Sequence, residues 1–277
     1  IAFSDDLRHM ARTWANSETY AHGVLVAPIS AWLAWRLRAR LATARMEPWI
    51  PGYFGLAGFA LLWLLGALSG ASEAREFGVI GMFVSSIAAI CGKQIARAIS
   101  FPLGFLFLMV PFGDFLLPWM MKATADVTVW AVRALGVPVY QEGLDFVLVS
   151  GRWSVVEACS GLRYLIASAV LGLLYAHLRF RSAGRKLAVI GLSLALPVLA
   201  NWVRAIGIVL LGHASGMQLA TGVDHLVYGW VFFGIVMFSM FALTCVKQLA
   251  IRAARDANVT LVDPLLEAVA NRRTDYS

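Results

Sequence analysis

The stretch Leu187–Gly212, LAVIGLSLALPVLANWVRAIGIVLLG, decides the fold. It is apolar over a length that crosses a hydrocarbon core, yet it holds Pro197, Asn201 and Arg204 in its interior. Outward from it the chain repeats the same texture. Further apolar runs occupy about 22–37, 52–69, 77–96, 99–113, 160–178 and 225–246. The chain is 60% hydrophobic and 14% charged, where a soluble domain carries about 25% charged residues. It therefore reads as an all-α polytopic membrane protein with about seven transmembrane helices. Strand-type alternation is absent over most of its length, which argues against an outer-membrane barrel.

The net charge of +7 is concentrated in short loops between the runs, where anionic lipid and topology account for it. No aromatic-plus-basic array of the single-strand-binding kind is present, so membrane lipids, and not nucleic acid, are the expected contacts. Cytoplasmic placement of the loops holding Arg36–Arg45, Lys93 and Arg97, Arg179–Lys186, and Lys247–Arg255 lets seven spans alternate without conflict. Residues 1–20, the loop near Glu73, residues 115–157 and the 213–224 loop then lie outside. The chain opens on Ile1, not Met; a preceding span would bring the total to eight and put the N-terminus in the cytoplasm. Residues 1–255 are expected to form one integral membrane domain, and 256–277 a polar cytoplasmic tail.

Two segments break the pattern. The fourth run, about 99–113, is short and contains Pro102 and Pro111, which predicts a kink. In residues 115–136, Lys122, Asp126 and Arg133 lie along one helical side, with Leu116, Trp119, Met120, Val127, Trp130 and Ala134 on the other. This predicts an amphipathic helix at the interface, not a span. Val137–Gln141, Leu144–Val149 and Arg152–Glu157 are rich in β-branched residues and are punctuated by Glu142-Gly143 and Ser150-Gly151. They predict a small antiparallel sheet outside the bilayer, leading straight into Cys159.

The chemistry-bearing residues sit where spans begin or inside them. Of three cysteines, Cys91 and Cys245 lie in apolar runs and read as small buried hydrophobes. Cys159 stands at the mouth of a span, before Ser160, Gly161, Leu162 and Arg163. Amides at a helix N-terminus favour a thiolate, and Arg163 adds positive field. Arg204 lies within a span, at a cost of about 2.5–3.5 kcal/mol on insertion scales. It stays protonated, so it suits holding a carbonyl or a developing oxyanion. His225 opens the last run and suits a general base and acid. Asp224 directly precedes it, so the two side chains diverge. The orientation derived from charge alone puts Cys159, Arg204 and His225 on the same side. The plainer alternatives are a structural cysteine, an Arg204 pair with Glu157 or Asp224, and a polar residue at a helix entry. His213 and His22 compete as outer-face imidazoles, whereas His177 falls on the cytoplasmic side. No ligand-type spacing suggests a metal, and no cofactor is expected.

The segments Glu157–Leu165, Ala200–Arg204 and Asp224–Trp230 together resemble the exosortase/archaeosortase family, closest to its bacterial exosortase A type. Trp14, Tyr20–Val26 and the Phe101-Pro102 to Pro111 region carry the same resemblance, which covers nearly the whole chain. It implies that Cys159, Arg204 and His225 form a sortase-like catalytic trio, with Glu157, Ser160, Gly161, Arg163, Asn201, Asp224 and His22 as supporting or substrate-binding residues. It implies a cysteine peptidase or transpeptidase in the bacterial inner membrane, with its site at the periplasmic face. The implied partners are proteins with a PEP-CTERM tail: a Pro-Glu-Pro signature, a transmembrane helix and a basic end. The family is associated with surface sorting and with exopolysaccharide or biofilm production. A polytopic transporter, a thiol-dependent membrane acyltransferase and a non-enzymatic assembly component of polysaccharide export remain the alternatives.

Overall fold

The computed structural model describes residues 3–217 and 231–242. The chain divides into two compact units, Ile1–Ala220 and Thr221–Ser277. In the first, the elements run α1 (Ser4–Asn16), α2 (Gly23–Arg36), α3 (Arg38–Ala42), α4 (Ile50–Ser69), α5 (Ser72–Ala98), α6 (Ser100–Phe105), α7 (Leu117–Ala134), β1 (Val139–Glu142), β2 (Asp145–Leu148), β3 (Gly151–Ser154), α8 (Leu162–Arg179) and α9 (Ala183–Ala214). In the second, Val231–Ala242 is a short apolar helix. His225, Asp224, Cys245 and the expected tail 256–277 lie outside the described residues.

Two antiparallel hairpins, α4–α5 and α8–α9, form the long part of the first unit. Pro51 stands in the first turn of α4, and Gly70, with φ 74°, ends it, the usual start and stop chemistry. The hairpin closes tightly: a Cβ on Gly52 would lie 2.5 Å from the Ala89 backbone nitrogen. Small residues at such crossings let membrane helices approach. The outward surfaces stay apolar, with Phe54, Leu68, Leu187 and Val203 all exposed.

Three helices, α4, α5 and α9, have the length and apolarity of membrane spans. A fourth is possible if Ser100–Met109 and Asp114–Ala134, bent by 62°, count as one broken span. The seven expected spans are thus not realised among the described residues. The run 22–37 yields α2, 14 residues long, or about 21 Å at 1.5 Å per residue, less than the ~30 Å core. The run 99–113 becomes six-residue α6 and a 3-10 turn, Leu106–Met109. Gly113, at φ 147°, then turns the chain. The 18 residues of α8 carry Arg163, His177 and Arg179 and fall short in apolarity. The last run lies outside the described residues apart from Val231–Ala242.

Contacts sort to two ends. At one end, Glu18 pairs with Arg163, His9 Nδ1 meets Glu76 Oε1 at 2.7 Å, and Tyr20 donates to Asp114 Oδ1 at 2.7 Å. Burial and the Asp114 carboxylate push the Tyr20 phenol well above its ordinary pKa, so it remains a donor. At the opposite end, the Arg45 amide donates to Gln94 Oε1 at 3.3 Å, and the Phe101 and His177 rings stack 3.5 Å apart. Among the described residues, the segments joined by these contacts thus gather at the ends to which the charge pattern assigns them.

The antiparallel sheet forms in the order β1-β2-β3, with Glu142 paired to Asp145 and Leu148 to Gly151. Gly143 takes φ 64° at the first turn. Asp145 is held below its ordinary pKa by a hydrogen bond from Ser154 and then by Arg152. The helix α7 lies where amphipathicity predicts, but with different faces. Met120, Thr124, Ala125, Thr128, Val129 and Val132 are buried, whereas Trp119 and Trp130 are exposed. Trp119 and Trp130 are eleven residues apart, about three turns, so they share the face of Lys122, Asp126 and Arg133, not the opposite one. Buried Ala125, Val129 and Val132 join Phe146, Leu148, Val155 and Val209 in one apolar cluster.

Candidate active site

The backbone changes character at the end of that sheet. Val155 and Val156 lead into a single 3-10 turn, Glu157–Cys159, and the chain then enters α8 through Gly161 at φ 84°. A left-handed residue between two helical turns favours glycine, which has no Cβ to strain. Space demands it too, since a Cβ there would lie 2.7 Å from Asn201 Cγ. Gly161 thereby lets α9 touch the Cys159 turn.

Two residues of α9 grip that turn from one helical face. Asn201 is 2% exposed. Its Nδ2 donates to the Cys159 carbonyl oxygen at 2.9 Å and reaches Thr124 Oγ1 at 3.4 Å. Arg204, one turn on, donates from Nη2 to Asn201 Oδ1 at 3.1 Å and reaches the Ala158 carbonyl oxygen at 3.5 Å. Its Cζ lies 5.7 Å from the Tyr164 ring centroid, within cation–π range. Its Nε–H is buried with no acceptor among the described residues. No described carboxylate pairs with Arg204, so the alternative pairing with Glu157 is not realised, and Glu157 is exposed.

Cys159 is a free thiol, half-buried, and packed against the apolar cluster beneath the sheet. The Cys159 amide donates to the Val156 oxygen at 2.8 Å and the Ser160 amide to the Glu157 oxygen at 3.0 Å. Buried Ser160 accepts the Leu162 amide on Oγ at 3.2 Å. These three amides are occupied by the turn itself, whereas the Arg204 guanidinium keeps an Nε–H unmet among the described residues.

The remaining expected residues fall out differently. Arg163 is ion-paired with Glu18, so its field on Cys159 is largely offset and the loop 17–22 is tied to α8. His22 meets the Thr19 oxygen at 3.3 Å through Nδ1 and the Leu108 oxygen at 3.2 Å through Nε2; its bonds go to the α1–α2 loop and the 3-10 turn after α6. His213, in the last turn of α9, meets Ser150 Oγ at 2.9 Å and pins that helix end to the sheet. It stands nine residues beyond Arg204, about 13–14 Å along the axis. Thr124, Tyr164 and Glu18 were not expected at the site. Tyr164 lies within the Glu157–Leu165 segment, but Thr124 and Glu18 reach it from distant elements. Among the described residues, no three His, Cys, Asp or Glu side chains converge as a metal site.

Residues 14–242 match a family model described as transmembrane exosortase (Exosortase_EpsH). No curated protein and no solved structure matches the chain.

Proposed function

The chain belongs to the transmembrane exosortase family, and we propose that it is a sortase-like cysteine peptidase or transpeptidase acting on C-terminal PEP-CTERM tails at the periplasmic face of a bacterial inner membrane. One observation supports this most: Arg204 is half-buried, has a buried Nε–H and no carboxylate partner among the described residues, and is anchored beside the backbone of Cys159. Such a cation is costly in a span and is suited to charge that appears during a reaction.

The substrate helix packs laterally among the spans and leaves its Pro-Glu-Pro segment beside Cys159. The thiolate adds to the scissile carbonyl carbon, forming a C–S bond, and the carbonyl oxygen becomes an oxyanion held by Arg204. The C–N bond then breaks, the leaving amine takes a proton from the His225 imidazolium, and a thioacyl-enzyme remains. Attack by water regenerates the thiol and makes the protein a protease; attack by an amine makes it a transpeptidase. Asn201 positions the Cys159 carbonyl and the Arg204 fork, and Gly161 makes that contact possible. This activity would serve surface sorting and exopolysaccharide or biofilm production.

The test is co-expression with a protein bearing such a tail, following tail loss by gel shift in wild type and Cys159→Ala. Loss of processing in a membrane-inserted mutant supports the reading, and mass spectrometry of the product identifies the acceptor. Processing at the wild-type rate by Cys159→Ala removes the thiol as nucleophile and favours the transporter or assembly-component reading.

A further inference from the structure

At the end of the α4–α5 hairpin away from Cys159, the chain encloses a second polar feature. A cavity of about 620 Å³ is lined by Arg40, Arg45, Lys93 and Arg97, with Glu47 as its one carboxylate and Trp49 on its wall. Among the described residues, none of these four cations has an ion-pair partner. Elsewhere carboxylates are within reach of basic side chains: Arg75 pairs with Asp6, His9 with Glu76, Arg163 with Glu18, Lys122 with Asp126 and Arg152 with Asp145. Even Arg36 and Arg38, on the same basic segment, lie over the Trp32 and Trp35 rings, with Cζ 4.9 and 4.1 Å from the centroids.

The cavity is also built. Its two walls are the segment 44–49 and the last turns of α5, and three contacts fix them. The Arg45 amide donates to Gln94 Oε1 at 3.3 Å, and the Trp49 amide donates to the Ala89 oxygen at 3.0 Å. Gly92, between them, leaves the helix with φ 89° and ψ 171°, and a Cβ there would collide with the Glu47 carbonyl oxygen. Only glycine accepts both that conformation and that approach. The break sets Lys93 and Arg97 opposite Arg45.

Apolar surface begins at the rim. Met46, Ile50 and Phe54 are 73%, 70% and 74% exposed, and Ile50 and Phe54 are one turn apart on the outward side of a span. A fixed basic cavity at a span end, opening onto an unpartnered apolar face, has the layout of a phospholipid site. The phosphate lies among guanidinium forks, and the acyl chains run along α4.

We propose that this cavity binds the phosphate headgroup of an anionic phospholipid. Arg40, Arg45, Lys93 and Arg97 hold the phosphate oxygens, and Trp49 lies at the level of the glycerol backbone.

Native mass spectrometry of the full chain in detergent tests this, with phosphatidylglycerol, phosphatidylcholine or inorganic phosphate added at matched concentrations. The expected result is saturable binding of phosphatidylglycerol over phosphatidylcholine, which inorganic phosphate does not displace. Affinity should fall about fivefold for each of Arg45→Gln and Arg97→Gln. Arg45→Lys with Arg97→Lys preserves loop charge and membrane insertion, and it should still weaken binding because the bidentate fork is lost. Arg36→Gln with Arg38→Gln, outside the cavity, should leave affinity within twofold. Equal losses in the cavity and Arg36/Arg38 variants would overturn the site, as would equal binding of the two lipids. Displacement by inorganic phosphate would overturn the lipid as its occupant.

Discussion

Two regions at the same end of the first unit treat charge in opposite ways. Where α1 meets the α4–α5 hairpin, Asp6 is 3% and Glu76 2% exposed, and each has a partner. Asp6 pairs with Arg75 and accepts from Trp63 Nε1 at 2.9 Å, and Glu76 meets His9. Where α9 meets the Cys159 turn, the partners of Arg204 among the described residues are neutral oxygens, and its buried Nε–H has no acceptor among them. Matched charges lock one element onto another. A cation held by neutral groups keeps its field for something that arrives. The contrast separates a place where charge supports the fold from a place where it is reserved for chemistry.

The sharpest way to break that contrast is to remove one group from each region. Cys159→Ala should lower tail processing to background while changing stability by less than about 1 kcal/mol, since the thiol is only half-buried. Asp6→Ala should do the reverse. It strands a desolvated Arg75 and the Trp63 indole, for a loss of about 3–5 kcal/mol and toward the lower figure because Arg75 is partly exposed. Processing per folded molecule should survive. Thermal unfolding in detergent, with processing normalised to folded protein, reads both.

Smaller effects sharpen the picture. Asn201→Ala leaves the Cys159 carbonyl without its donor, for about 1–3 kcal/mol, and should reduce processing through a misplaced thiol with substrate binding retained. Gly161→Ala adds about 1–2 kcal/mol of left-handed strain and forces Asn201 aside, so it should resemble Asn201→Ala in processing and exceed it in destabilisation. Arg163→Gln should matter least. It breaks a pair whose Glu18 side chain is half exposed, worth at most about 1 kcal/mol, and processing should stay within a few-fold.

The sequence was most legible where local chemistry dominates. The three strands, their glycine turns and the passage into Cys159 could be read because alternation and turn residues act over a few positions. Asn201 and Arg204 could be read as exceptions inside an apolar run. The span count could not, because hydropathy measures apolarity and not helix continuity. Gly113 and the compact turns after Pro102 split one run, and α2 stops at 14 residues. Trp119 and Trp130 were assigned by apolarity to the side of α7 opposite the charges, yet helical period places them with the charges, where an amphipathic ring belongs at an interface. The Glu18–Arg163 pair, 145 residues apart, leaves no local trace. His225, read as a general base and acid from its place at the last run, and Asp224, a supporting residue by the family resemblance, lie outside the described residues.

Arg204→Ala, with thermal unfolding and the rate of tail processing measured on the same purified preparation, tests the central claim most directly. The account predicts an unfolding temperature changed little, because a half-buried cation with no ion pair among the described residues has gone, with processing lowered about 10²–10³-fold as for loss of one oxyanion donor. A sharp fall in unfolding temperature with undiminished processing per folded molecule would contradict it and make Arg204 a structural residue.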